Sequence, residues 1–172
     1  HTQHPNEWVH AFMLGKNQIA METIRWLARN QQNIFDFHLL RGVKEKQLYK
    51  DLQEPFEYAK EMGIHAGVSF GVASQQQNNW KIVSILGTFF DSMSRRLIQK
   101  HLTELLESID LSFISVEAGT SEFTSVNYKR SLDWLNQIGE IAESYKVQMM
   151  TKVHVSSNQN HGKYGNYNFL PQ

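Results

Sequence analysis

Five short runs along the chain alternate apolar and polar residues with a period of two, which predicts β-strands. They are Trp8–Leu14, Ile34–Leu40, Ile64–Ala73, Leu111–Gly119 and Val147–Ser156. Each is rich in β-branched or aromatic residues and is followed by Gly, Ser, Asn or Gln, the usual strand-ending residues. Between them the apolar residues recur at three and four, the period of a helix with one buried side. Helices are expected over Asn17–Arg29, Lys44–Met62, Trp80–Ser108 and Asn127–Tyr145. Asn17 is placed to cap the first, with Ile19, Ile24, Leu27 and Ala28 facing inward. Pro55 predicts a break in the second, and Gly63 a C-terminal cap. A continuous Trp80–Ser108 helix would be about 43 Å long, more than one strand needs for cover, so a break is expected near Gly87-Thr88.

Strands separated by helices throughout predict an α/β protein with a mainly parallel sheet. Two architectures fit that order: an open, doubly wound, flavodoxin-like sheet, and part of a (β/α)8 TIM-like barrel. The strand faces favour the barrel. A doubly wound sheet buries both faces under helices and needs apolar residues on each. Here Phe35, Phe37 and Leu39 oppose Asp36 and His38, and Val68, Phe70 and Val72 oppose Gly67, Ser69 and Gly71. Ile114 and Val116 oppose Ser115 and Glu117, while Met149, Val153 and Val155 oppose Lys152 and His154. One apolar face and one polar face suit outer helices and a polar barrel mouth. A whole barrel takes about 250 residues. Residues 1–172 are therefore expected to form a single α/β domain, an incomplete barrel whose other strands come from further sequence of the same protein or from its assembly.

Composition narrows the function classes. Apolar residues make up 41% of the 172 and charged residues 20%, a globular balance. Lys plus Arg and Asp plus Glu are 17 each, so the basic excess expected of a nucleic-acid binder is missing. No apolar run reaches the roughly 18–20 residues that a membrane-spanning helix needs. The absence of cysteine removes thiolate metal sites and Cys nucleophiles, yet leaves the compartment open, an extracellular one included.

The candidate chemistry lies where the strands end. Glu117 closes the fourth run just before Ala118-Gly119, the position at which barrel enzymes carry catalytic carboxylates. It can act as a general acid or base, or simply balance the charge of Lys152. Lys152 and His154 share one face of the fifth run; a lysine in such a site can also form a Schiff base with a carbonyl substrate. His38, Asp36 and Ser115 fall on the same polar side. No cofactor motif appears. Neither His-x-His in a strand nor HEXXH in a helix is present, so the His and Asp residues are not read as a metal site. The loops are rich in amides and aromatics: Trp80 follows Gln75–Asn79, and Asn158, Gln159, Tyr164 and Tyr167 follow the fifth run. Amides hydrogen-bond hydroxyls in both directions and aromatic rings stack on sugar faces, which suits a carbohydrate or other neutral polyhydroxylated ligand.

Together the β-α order, the strand-ending Glu117 and these loops resemble TIM-barrel glycoside hydrolases. The resemblance implies hydrolysis of a glycosidic bond with Glu117 as acid/base, His38, Lys152 and His154 positioning substrate, and a second carboxylate on a later strand, past Gln172. It departs from the common Asn-Glu pair, because Val116 precedes Glu117. The other readings of these residues are a Schiff-base lyase or aldolase using Lys152 and a non-catalytic carbohydrate-binding or structural barrel module.

Overall fold

A computed structural model describes residues 17–39, 45–73, 81–83, 86–117, 128–152, 160–161 and 165–166. In chain order these form α1 (Asn17–Arg29), β1 (Ile34–His38), α2 (Glu45–Glu61), β2 (His65–Gly71), a 3-10 turn (Leu86–Phe89), α3 (Asp91–Ser108), β3 (Phe113–Glu117), α4 (Tyr128–Ser144) and β4 (Gln148–Lys152). Strands β1 to β4 match the second to fifth runs; the first, Trp8–Leu14, lies outside the described residues. A two-residue antiparallel pair, β5 (Asn160–His161) with β6 (Gly165–Asn166), follows.

Strands β1 to β4 pair in sequence order, all parallel. That order decides between the two architectures. A parallel crossover is right-handed, so neighbours joined in unbroken sequence carry their helices on one face of the sheet. A doubly wound sheet must reverse its strand order somewhere, and these strands make no reversal. The result is an arc of an incomplete TIM-like barrel, with helices outside.

The outer face holds the core. Phe35, Phe37, Val68, Phe70, Ile114 and Val116 pack against Ile24 of α1, Leu52 and Phe56 of α2, Ile98, Leu102 and Leu105 of α3, and Trp134 and Ile138 of α4. Phe35 and Phe56 meet edge-on, their ring centres 5.9 Å apart. Between α3 and α4, the Trp134 indole N–H donates to Ser94 Oγ at 3.1 Å, satisfying the polar end of a buried ring. The Arg130 guanidinium donates to the Thr88 carbonyl and ties α4 to the 3-10 turn.

Three details differ from the sequence expectation. Helix α2 runs unbroken through Pro55; the buried residues on both sides, Leu52, Phe56 and Ala59, hold it against the sheet despite the lost N–H bond. Ile19 points outward at 41% exposure while Ala20 and Ile24 are buried, which turns α1 by about one residue from the expected face. Asn17 belongs to α1 itself, and its amide donates to Glu54 on α2 at 2.8 Å. The break in the long helical run falls where expected: α3 begins at Asp91, after the 3-10 turn through Gly87-Thr88.

Helices α1, α2 and α4 end alike. At α2 the Gly63 N–H bonds the Lys60 carbonyl and the Ile64 N–H the Ala59 carbonyl, with Gly63 at φ 72°. This is a Schellman cap, and glycine takes that φ without strain. Gln31 after α1 and Lys146 after α4 make the same pair of bonds at φ 58°, where a side chain costs about 1 kcal/mol. Lys146→Gly is therefore expected to raise the unfolding free energy in urea by up to about 1 kcal/mol; a lowered value would contradict this cap.

Gly67 carries a sharper constraint. A Cβ there would lie 2.4 Å from the Phe113 carbonyl oxygen and 2.5 Å from its ring. Gly67→Ala is expected to cost about 1–3 kcal/mol or more in urea unfolding, because a backbone atom must move. An unchanged midpoint would mean that β2 and β3 do not approach this closely.

Candidate functional site

Register lays the inner face out in rows, since parallel partners point to the same side of the sheet. The lowest row is Asp36, Gly67, Phe113 and Gln148, and the next is His38, Ser69, Ser115 and Met150. The highest holds Gly71, Glu117 and Lys152 at the C-terminal strand ends. Phe113 is buried yet stands outside the main core cluster. Its ring covers Gly67 and forms an apolar floor beneath the polar rows.

Above that floor the groups are small and polar. Ser69 is 2% exposed, and its Oγ lies 2.6 Å from both oxygens of the partly buried Asp36, one hydroxyl proton shared between them. Each partner satisfies the other, as buried polar groups require. Ser115, beside Ser69, is also buried.

Glu117 ends β3 and is 8% exposed. Its own carbonyl accepts from the Val72 N–H at 3.0 Å, which extends the β2–β3 ladder to the strand end and fixes the backbone that carries the carboxylate. Gly71 flanks it on one side and Lys152 on the other, each about 4.8 Å away between Cα atoms. Gly71 brings no side chain to that row.

The rows also separate the candidates. Asp36 lies two strands across and four residues down from Glu117, about 16 Å between Cα atoms. Paired glycosidase carboxylates stand about 5–9.5 Å apart, so Asp36 is not the partner of Glu117. His38, half-buried, stands one row below Glu117 and two strands across. His65 opens β2 at the opposite end of the sheet, exposed. Lys152 is placed in the Glu117 row by backbone register. Trp80, His154, Asn158, Gln159, Tyr164 and Tyr167 lie outside the described residues. Among the described residues no group of three His, Cys, Asp or Glu side chains could hold a metal ion, and no helix is long and apolar enough to cross a membrane.

One residue of this face escapes a reading by periodicity. Lys81 forms a parallel bridge with Gly71, and the Ile82 and Val83 N–H groups donate to the carbonyls of Gly71 and Val72 at 3.2 and 2.8 Å. The segment thus lies beside β2 where β1 has ended. The helix expected from Trp80 begins eleven residues later, since α3 begins at Asp91. The signal was present in the sequence: Lys81 between loop amides and the apolar pair Ile82-Val83 also fits a short strand.

No protein-family model matches the chain, and no curated protein sequence matches it. Its fold is similar to solved structures of glycoside hydrolases. A mutant of the Thermobaculum terrenum O-GlcNAc hydrolase superposes with a TM-score of 0.59 at 14% identity, over 86% of this chain and 34% of that one. CpGH84B superposes with a TM-score of 0.54 at 10% identity, over 87% of this chain and 27% of that one. This chain therefore spans about a third or less of the proteins whose architecture it shares. At these identities the likeness is one of fold alone: an α/β arc of an incomplete barrel.

Proposed function

We propose that this chain contributes the acid/base half of a glycosidase-like site, with Glu117 as the proton donor and acceptor at the barrel mouth. The observation that carries the reading is the placement of Glu117: a buried carboxylate at the C-terminal end of a central parallel strand, on the polar inner face. In a barrel, that end is where the βα loops assemble the active site. The fold-level likeness to glycoside hydrolases, one of them described as an O-GlcNAc hydrolase, points to a carbohydrate as the ligand class.

In this role Glu117 protonates the glycosidic oxygen as the bond to the anomeric carbon breaks, and later takes a proton from the incoming water. Ser115 and His38, one row deeper, offer hydroxyl and imidazole groups for substrate hydroxyls, and Lys152 shares the Glu117 row by backbone register. The second carboxylate comes from strands beyond this arc, because Asp36 is too distant and engaged by Ser69.

Glu117→Gln keeps the shape and removes the proton. It is expected to lower kcat/KM on a hydrolysed glycan by about 10²–10⁴-fold, with the urea midpoint retained. Hydrolysis across a glycan panel that is unchanged in the variant would remove Glu117 from the chemistry. A borohydride-trapped substrate adduct at Lys152 would assign carbonyl chemistry to the site instead.

A further inference from the structure

We infer that the open edge of β4 and the adjoining flank of α4 form one docking surface for a further β-α unit of the same protein, its strand parallel to β4 and lying outside residues 1–172. This surface is independent of the chemistry assigned to Glu117.

The edge follows from the hydrogen bonds. Strand β4 pairs with β3 on one side, and among the described residues nothing pairs with its other side. The Gln148 N–H donates to the Ser112 carbonyl at 3.2 Å. Backbone groups of successive residues in a strand point to alternate sides. Gln148 and Met150 therefore bond toward β3, while Met149 and Thr151 turn their N–H and C=O groups outward. Burial agrees: all five residues of β3 are buried, whereas Gln148 and Thr151 are exposed and Met149 and Met150 only partly buried. Edge strands that stay single are guarded by charge, proline or a bulge. Residues 148–151 carry no charge and no proline, and the register with β3 runs without a bulge.

Beside this edge runs an apolar strip. Leu132, Leu135 and Gly139 recur at three and four along α4 and share one side of it. The opposite side meets α3, where Trp134 donates to Ser94 and Gln137 to the Arg95 carbonyl. Leu132 is 40% exposed and Leu135 partly buried. A Cβ at Gly139 would lie 3.6 Å from Met149 Sδ, so the strip continues from α4 onto the outer side of β4. The solvent side of α4 is polar instead, with Lys129, Asn136 and Glu140 exposed.

Edge and strip together select the partner. A strand added in parallel needs a crossover, usually a helix, and right-handed crossovers put that helix on the face where α1 to α4 lie. The new strand sits about 4.8 Å from β4 and its helix about 8–10 Å from α4, over Leu132 and Leu135. A lone antiparallel strand would pair the edge and leave the strip bare. The three pairings already present are all parallel. The two solved structures that share this fold are longer, this chain covering 34% and 27% of them, so the architecture has room for such units.

Hydrogen exchange on residues 1–172 and on the protein isolated from its source tests the surface. In residues 1–172 the Met149 and Thr151 amides are expected to exchange at least about 10²-fold faster than that of Met150. In the source protein all three are expected to be protected alike. Leu132→Lys is expected to leave the urea midpoint of residues 1–172 in place and to lower that of the source protein carrying the same change. Met149 and Thr151 amides that stay fast in the source protein would overturn the inference. So would protection of both in residues 1–172 sedimenting as a dimer, which assigns the edge to a second copy. No glycan enters these measurements, so this surface and the role of Glu117 fail separately.

Discussion

A parallel strand joined to its neighbour by a right-handed helical crossover can shed its apolar surface on one side only, if every crossover moves the same way. Everything else in this chain depends on that constraint. Four consecutive strands in the order β1-β2-β3-β4 bury Phe37, Val68, Phe70, Ile114 and Val116 beneath the helices. Among the described residues the opposite face receives no helix, and it is left for polar residues. Its composition is no accident of loops, since the residues are fixed by strand parity. Asp36, His38, Ser69, Ser115 and Glu117 could not move to the core side without a register slip that would expose the whole apolar set.

The inner face is graded from floor to rim. Gly67 lets the Phe113 ring lie against the sheet and forms a dry base. The Ser69–Asp36 bond then satisfies the first polar layer internally. The rim row holds Gly71, Glu117 and Lys152 by backbone register, with Lys81 bridged to Gly71. Small residues at 67, 69 and 71 keep β2 low between its neighbours. The groups with reach stand on either side of it.

Much of this was legible in the sequence, because period-two alternation encodes strand faces directly. It separated Phe35 and Phe37 from Asp36 and His38, and it placed Ser115 and Glu117 together at one strand end. Lys81 was hidden because Trp80, Ile82 and Leu86 continue a helical period into α3, and a three-residue bridge is too short to announce its own. Pro55 misled for a related reason: a local rule about a lost N–H was outweighed by the packing of Leu52 and Phe56. The distance between Asp36 and Glu117 is a matter of register, which pattern alone does not provide. Phe113 was masked in the same way, as an apolar residue whose parity puts it on the polar side.

The central claim is that ligand recognition belongs to this inner face and its rim. Side-chain and backbone NMR of the labelled chain, titrated with a mixture of soluble oligosaccharides, tests it most directly. The account predicts signal changes concentrated at Ser69, Gly71, Lys81, Ser115 and Glu117, with the outer-face core residues Val68 and Ile114 following only weakly. Changes confined to the helices, or the absence of change at Glu117 while sugars bind elsewhere, would contradict it.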